Sequence, residues 1–298
     1  MTTVVALGPV PTDVVGPVLG EQVRFVESPT GEDLAVATGA IVRAASLVDR
    51  ALLEQMPALR VLARTGVGTD NVDLDAAGER GIPVLVTPGS NTVAVAEGTL
   101  AHILALVKRL PPLSALVREG RWGDRDTVPV GDLEGKRAAI IGHGRIGAQV
   151  AAYLRVFGMN LSIYDPAQPV TGDELATSVD EAIAGADIVT LHVPLTKETK
   201  NLLDARRLAT LAPGAIVVNC SRGGLVDMDA LYEALHSGQL AGVGLDVFDQ
   251  EPTAVHPLFS HPNVTLSPHV MGLSESSTRA TFVMAAQGIR DFLNQNPN

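Results

Sequence analysis

Residues 140–158 read IIGHGRIGAQVAAYLRVFG, an apolar run that breaks on Gly142, Gly144 and Gly147 and then resumes with helical spacing. The G-x-G-x-x-G spacing suits a strand-to-helix turn built against a pyrophosphate. The first glycine permits the tight turn, the second lets the backbone approach the phosphates, and the third allows close packing of helix on strand. The helix start then offers free N–H groups and a partial positive charge. The next strand candidate, LSIYD (161–165), ends in Asp165. That is about 20 residues on, where a carboxylate binds a ribose hydroxyl pair. A carboxylate there repels a 2′-phosphate, so NAD is favoured over NADP. Asp165 also suits a simple turn before Pro166, but strand, glycine turn, helix and acid together point to a dinucleotide.

Working outward, short apolar runs alternate with helical stretches in both directions, the pattern of parallel sheets covered by helices. After the glycine turn the strand candidates are LSIYD, DIVTLHV, AIVVNC, GVGLDVF and NVTLS, with RAAIIG leading into it. Before it lie VVAL, VRFV, AIVRA, RVLART and PVLVT, some separated by helical DRALLEQM and DLDAAGER. The stretch NTVAVAEGTLAHILALVKRL (91–110) reads as a long helix ended by Pro111-Pro112, of a length that suits a connector between domains. The loop REGRWGDRDTVPVGDLEG follows it. The segment SESSTRATFVMAAQGIRDFLNQ (274–295) reads as a terminal helix with serine and glutamate in its first turn.

The 298 residues exceed what one core usually serves, so two domains are expected. With 46% hydrophobic residues and only 3% aromatic, the cores must be built from Val, Leu, Ile and Ala. The formal charge of −11 and the absence of a Lys/Arg stripe argue against a nucleic-acid partner. The single cysteine, Cys220, excludes an internal disulfide and lends nothing to a thiolate metal site, so no metal is expected. The start MTTVVALGPVPTD lacks a signal-peptide pattern, and LAHILALVKRL is too short and too charged to span a bilayer. No membrane partner and a cytoplasmic location are the expectations.

Three residues of the second series stand at or just beyond strand ends: Arg222, Glu251 and His269. In open α/β sheets ligands bind beyond the carboxyl ends of the strands, so the three can converge although far apart in sequence. An arginine fork binds a carboxylate, and a histidine exchanges a proton with a carbonyl or hydroxyl. A carboxylate beside the imidazole favours its charged form and fixes its orientation. Taken singly, Arg222 also fits a structural ion pair and Glu251 a solvated loop. His102, His236 and His261 read as surface or packing residues, and His143 as pointing away from the phosphates. Cys220 beside the arginine reads as a small buried residue rather than a nucleophile.

The ordered set GHGRIG, NCSRGGLVD, GLDVFDQEP and SPHVMG resembles the D-isomer-specific 2-hydroxyacid dehydrogenase family. RTGVGTDNVDLDAA and PGSNTVAVAEGTLAHILAL extend the resemblance over nearly the whole chain. It implies an α/β protein of two similar domains: a Rossmann-type NAD-binding domain at 92–273, inserted in a flavodoxin-like substrate domain of 1–91 and 274–298. The active site would lie in the cleft. It implies that Arg222 holds the carboxylate of a 2-oxo or 2-hydroxy acid, that His269 is the acid/base, and that Glu251 is its partner. Gly142, Gly144, Arg145, Ile146, Gly147, Asp165, His192, Pro194, Cys220 and Asp246 would bind the cofactor, Asp246 at the nicotinamide carboxamide. The N–H groups of Val67 and Gly68, together with Asn91, would help bind substrate. The resemblance also implies a homodimer joined through the cofactor domain near REGRW.

The substrate is less sharply drawn. Arg43 in AIVRAAS and Arg64 in LARTGVG resemble arginines that contact substrate in 3-phosphoglycerate dehydrogenases, and two arginines suit a phosphate. Against that, Arg43 can pair locally with Asp49, and Arg64 can brace its loop. Met271 stands where the family has a small residue, and the chain is expected to be a short form without the regulatory C-terminal domain of many serine-pathway enzymes, as short forms exist in the family. Phosphoglycerate is placed slightly ahead of a glyoxylate or hydroxypyruvate-type 2-oxoacid. Outside enzymology, the same fold serves NAD(H)-sensing corepressors that keep catalytic-looking residues. An amino-acid dehydrogenase would need an amine-handling group that the sequence does not offer.

Overall fold

The structure, a computed structural model, describes residues 2–167 and 175–296. The chain divides into two compact units, residues 1–91 with 273–298, and residues 92–272. The first carries β1 (Thr2–Leu7), α1 (Thr12–Leu19), β2 (Val23–Val26), α2 (Gly31–Val36), β3 (Gly39–Val42), α3 (Arg50–Glu54), β4 (Val61–Arg64), α4 (Leu74–Glu79) and β5 (Val84–Leu85). The second carries α5 (Thr92–Val107), α6 (Leu110–Arg118), β6 (Arg137–Ile141), α7 (Arg145–Val156), β7 (Asn160–Tyr164), α8 (Val179–Ile183), β8 (Ile188–Leu191), α9 (Ala205–Leu208), β9 (Ala215–Asn219), α10 (Met228–His236), β10 (Leu240–Leu245) and β11 (Val264–Leu266). The last helix, α11 (Glu275–Gln295), belongs to the first unit.

In the first unit five parallel strands run in the order β2-β1-β3-β4-β5, the flavodoxin-like order. Its strands read as continuous apolar runs because both faces are covered. Val5 and Leu7 of β1 face one cluster with Val42, Leu62 and Met56. Val4 and Ala6 face the other, where Phe282, Ala285 and Ile289 of α11 complete the packing. Burying each such Val, Leu or Ile is worth about 1.5–3 kcal/mol, which is how a core poor in aromatics holds.

The second sheet runs β11-β10-β9-β8-β6-β7, all parallel. Leu175 makes a further parallel bridge to Ile163 of β7, so it continues the sheet outward from β7. Counted with that bridge, the order becomes the doubly wound 3-2-1-4-5-6 with one strand added. The reversal point falls between β6 and β8, and the glycine turn sits there.

Two local readings are corrected. Pro111 and Pro112 do not end the long helix. α5 stops at Val107, Arg109 turns left-handed at φ 54°, and the prolines occupy the first turn of α6, where a missing N–H is no loss. Asp49 caps α3 by accepting the Leu52 N–H and is not the partner of Arg43. No single helix among the described residues is long and apolar enough to cross a membrane.

Candidate active site

The glycine turn sets the first half of the site. Gly142 follows β6 with φ 97°, and a Cβ on it would come within 2.6 Å of the His192 carbonyl oxygen. A Cβ on Gly147 would stand 1.9 Å from the Gly142 oxygen, so α7 packs onto the turn with no room for a side chain. Gly144 differs: at φ −69° and ψ −163° it caps α7, and a Cβ there would meet nothing within 4 Å. Packing within the chain thus accounts for two glycines, while the third faces open space at the start of a 12-residue helix. That is where a pyrophosphate would need bare backbone, and the residues fit a dinucleotide. Gly147→Ala should lower stability by about 1–3 kcal/mol, as overpacking does. Gly144→Val should leave the melting temperature unchanged and weaken NADH binding by about tenfold or more, a loss of 1.4 kcal/mol per decade. Thermal melts and NADH fluorescence titrations of the two variants would check this, and equal effects on both readouts would remove the distinction.

Around the turn, Asp165 at the end of β7 accepts the His143 N–H at 2.6 Å through Oδ2 and the Ala167 N–H at 2.8 Å through Oδ1. The acid expected at a ribose thus also shapes the glycine loop. Arg145 and Ile146 form the first turn of α7, Ile146 packing into the core beneath. His143 turns a buried Nε2, without a hydrogen-bond partner among the described residues, into the protein. His192 lies just past β8, its Nε2 at 3.0 Å from the Thr190 hydroxyl, and burial pushes its imidazole down to about 4. Its carbonyl is the group that demands Gly142. Pro194, two residues on, is exposed. Burial pushes the Cys220 thiol up to about 12, with a Thr99 hydrogen bond opposing, so the sulfur stays protonated and is a poor nucleophile.

The second half of the site stands at the ends of the adjacent strands β9, β10 and β11. Arg222 has extended backbone (φ −143°, ψ 135°) just after β9, and its Nη1 donates to the Ser221 carbonyl at 2.8 Å. The two glycines after it have a steric cause: a Cβ on Gly223 would lie 1.9 Å from the Phe248 carbonyl carbon and 2.2 Å from the Asp249 nitrogen. The arginine loop therefore rests against the loop that carries Glu251. Glu251 accepts the Phe248 N–H at 3.0 Å through Oε1 and meets His269 Nδ1 at 2.6 Å through Oε2. The His269 side chain is 47% exposed, and its Nε2 makes no hydrogen bond among the described residues. An imidazole held by a carboxylate at one nitrogen and open at the other can pass a proton to a ligand.

Asp246 is only 2% exposed. Its Oδ1 accepts the Ser267 hydroxyl at 2.6 Å and the Val270 N–H at 2.9 Å, and its Oδ2 accepts the Met271 N–H at 3.1 Å. Three of about four acceptor positions on the carboxylate are thus given to the His269 loop, leaving one for the carboxamide expected there. Asp246 as a loop organiser was not legible in the sequence. Nor was His102, read as a surface or packing residue: it is buried with both ring nitrogens engaged.

The first unit holds the remaining candidates. The Arg43 guanidinium, just past β3, lies 5.0 Å over the Phe282 ring and has no hydrogen bond or ion pair among the described residues. Partial burial lowers its pKa from the ordinary value, which favours gaining an anionic partner. Arg64, at the end of β4, donates from Nη1 to the Thr65 carbonyl at 2.6 Å and curls under Gly66, bracing its own loop. The Gly66 N–H is pinned to the Thr87 hydroxyl at 2.7 Å, so the following N–H groups of Val67 and Gly68 are displayed on a fixed turn. Neither bonds anything among the described residues. Asn91 is half-buried at the end of this unit's first segment. Among the described residues no cluster of His, Cys, Asp or Glu could hold a metal ion.

Residues 100–271 match the family model of the D-isomer specific 2-hydroxyacid dehydrogenase NAD binding domain. A D-3-phosphoglycerate dehydrogenase of Methanocaldococcus jannaschii is 38% identical over 285 residues, covering 92% of this chain and 54% of that relative. The chain spans about half the length of the curated relatives it matches. Among solved structures, the TT0316 protein of Thermus thermophilus superposes with a TM-score of 0.89 at 33% identity, covering 100% of this chain and 99% of that one. The D-lactate dehydrogenase of Aquifex aeolicus, solved with NAD and lactic acid, gives 0.84 at 28% identity, covering 99% and 96%.

Proposed function

The chain belongs to the D-isomer specific 2-hydroxyacid dehydrogenase family, and from that premise we propose that it is an NAD-dependent oxidoreductase interconverting a 2-oxo acid and a D-2-hydroxy acid. The observation that carries the reading is the 2.6 Å His269–Glu251 pair, set on the strand ends next to Arg222 in the unit that holds the glycine turn. Bound NAD supplies the hydride chemistry. Gly144 and the α7 N-terminus, on the turn that Gly142 and Gly147 make possible, would receive its pyrophosphate, and Asp165 its ribose. Arg222 binds the substrate carboxylate. In reduction the protonated His269 gives its Nε2 proton to the carbonyl oxygen, and Glu251 balances the imidazolium. In oxidation neutral Nε2 takes the hydroxyl proton.

For the substrate, Arg43, whose guanidinium has no hydrogen bond or ion pair among the described residues, supports a phosphorylated acid such as 3-phosphohydroxypyruvate, reduced in the reverse of 3-phosphoglycerate oxidation. Arg64, bound to its own loop, has the weaker claim. NADH oxidation with 3-phosphohydroxypyruvate and hydroxypyruvate, side by side, tests this. The wild type should prefer the phosphorylated acid, and Arg43→Ala should erode that preference by about 1.5–3 kcal/mol, the worth of a hydrogen bond to a charged group. Equal use of both acids would leave a glyoxylate or hydroxypyruvate-type reductase. Tight NADH binding with no turnover of either would favour an NAD(H)-sensing protein.

We also assign the expected homodimer to the face of α6 and its following loop. Trp122 stands 65% exposed there and lines an apolar surface with Val117, while Leu110 is exposed at the start of α6; a second copy would cover this face.

A further inference from the structure

His269 takes a left-handed backbone, φ 54°, which residues with a side chain rarely adopt. Asp246 takes three amides of its loop: the Asp246 carbonyl oxygen accepts the His269 N–H at 2.8 Å, shared with the Ser267 carbonyl at 3.1 Å, while the Asp246 carboxylate accepts the next two N–H groups, at Val270 and Met271. Consecutive amides thus converge on Asp246, and the placement of residues 270 and 271 depends on that carboxylate.

The carboxylate is in turn fixed by a buried chain reaching back to α5. Ser267 Oγ donates to Asp246 Oδ1 at 2.6 Å. Its single proton is then spent, so His102 Nε2, 3.1 Å from the same oxygen, must be the donor to it. Burial pushes the His102 imidazole below its ordinary value, against a smaller pull from Asp246, and keeps it neutral. Nδ1 is therefore bare and accepts from the Thr265 hydroxyl at 2.7 Å. One arrangement of protons satisfies the chain, running from Thr265 through His102 and Ser267 to Asp246. The chain also has room made for it, since a Cβ on Gly244 would lie 2.9 Å from His102 Cβ. The far end of the loop is seated on the same helix. Met271 covers Gly98, one turn before His102, so closely that a Cβ on Gly98 would stand 2.6 Å from Met271 Cβ.

We propose that His102 is a positioning residue for the reaction: through Ser267 and Asp246 it fixes the loop that presents His269, an inference that rests on the reading of His269 as the acid/base. His102 touches neither His269 nor any reacting atom. Its work is to donate a hydrogen bond to a hydroxyl that would otherwise be free to rotate away from Asp246. With that hydroxyl loose, the carboxylate loses its side-chain donor, the amides of residues 270 and 271 lose a fixed target, and the open Nε2 shifts with the loop.

The test compares His102→Leu, which removes the donor, with His102→Gln, whose amide can donate to Ser267 from nearly the same place. Ser267→Ala cuts the chain while leaving His102 packed and costs the fold one atom. His102→Leu and Ser267→Ala should lower kcat by up to about 10²-fold, the cost of misplacing a catalytic group by about 1 Å, with KM nearly unchanged. His102→Gln should restore most of the turnover. A second readout needs no turnover: the His269 ring resonance, assigned by its loss in His269→Asn, should move or broaden in His102→Leu and Ser267→Ala and keep its place in His102→Gln. Wild-type kcat and an unmoved resonance in both His102→Leu and Ser267→Ala would overturn the proposal. So would a His102→Gln variant as impaired as His102→Leu, because that would make the role one of packing. If the wild type reduces no 2-oxo acid, the catalytic reading fails by itself, and the His269 resonance alone decides whether His102 positions the loop.

Discussion

Replacing Arg222 with alanine should cut kcat/KM for a 2-oxo acid by about 2–5 kcal/mol, roughly 30- to 5,000-fold, the cost of leaving a buried charged group without its partner. A loss of that size applies because the arginine side chain, whose Nη1 donates to the Ser221 carbonyl at 2.8 Å, is not alone in holding its loop. Asn219, at the end of β9, also holds it: its Oδ1 accepts the Ser221 N–H at 3.0 Å and its Nδ2 donates to the Arg222 carbonyl at 2.8 Å. Ser221 adds a bond to the Val193 carbonyl at 2.8 Å. The backbone is clamped before and at Arg222, so Arg222→Ala should fold normally and bind NADH as the wild type does. The loss should fall on substrate alone. Arg222→Lys should recover little of it, since an ammonium keeps the charge but not the planar fork that meets both carboxylate oxygens. Steady-state kinetics beside an NADH titration would check each point. Kinetics close to wild type in Arg222→Ala would hand the carboxylate to another group.

What could be read from the sequence, and what could not, follows the range of the interactions. The glycine turn was legible because its spacing is local: Gly147 answers to the Gly142 oxygen in the same turn, although the demand on Gly142 comes from the His192 carbonyl, 50 positions away. Arg222, Glu251 and His269 were legible as candidates because each follows an apolar run, and strand ends are where parallel sheets bind ligands. Gly98, His102 and Gly244 were not. A histidine inside an apolar helix carries no sign of whether it is buried, and its partners Thr265 and Ser267 are 163 and 165 positions away. Gly98 and Gly244 make sense only once the side chains lying over them are seen. Helix ends failed for a different reason: Pro111-Pro112 marks a boundary without saying on which side of it the next helix begins. The short α2 showed no apolar period, although Thr30 and Asp33 form a capping box at its start.

Removing the imidazole should have the other large effect. His269→Ala is expected to lower kcat by about 10²–10⁴-fold, the usual worth of a positioned general acid or base, with NADH binding retained. The loop should survive the change, because the backbone bonds of residue 269, to the carbonyls of Asp246 and Ser267, do not involve the ring. Glu251 then separates two accounts of the site. Its carboxylate spans the Phe248 N–H at 3.0 Å and His269 Nδ1 at 2.6 Å, so it both fixes the tautomer that leaves Nε2 open and balances the imidazolium. Glu251→Gln should therefore cost less than His269→Ala, since an amide oxygen can still accept from Nδ1, although its NH2 then faces the Phe248 N–H and the charge is lost. More sharply, Glu251→Gln should cost almost nothing further in a chain that already lacks His269, as groups acting through one another are not additive. If the double variant falls well below His269→Ala, Glu251 has a task of its own at the substrate. If it does not, the acid/base is the pair rather than the histidine, and the 2.6 Å contact is part of the catalyst rather than its support.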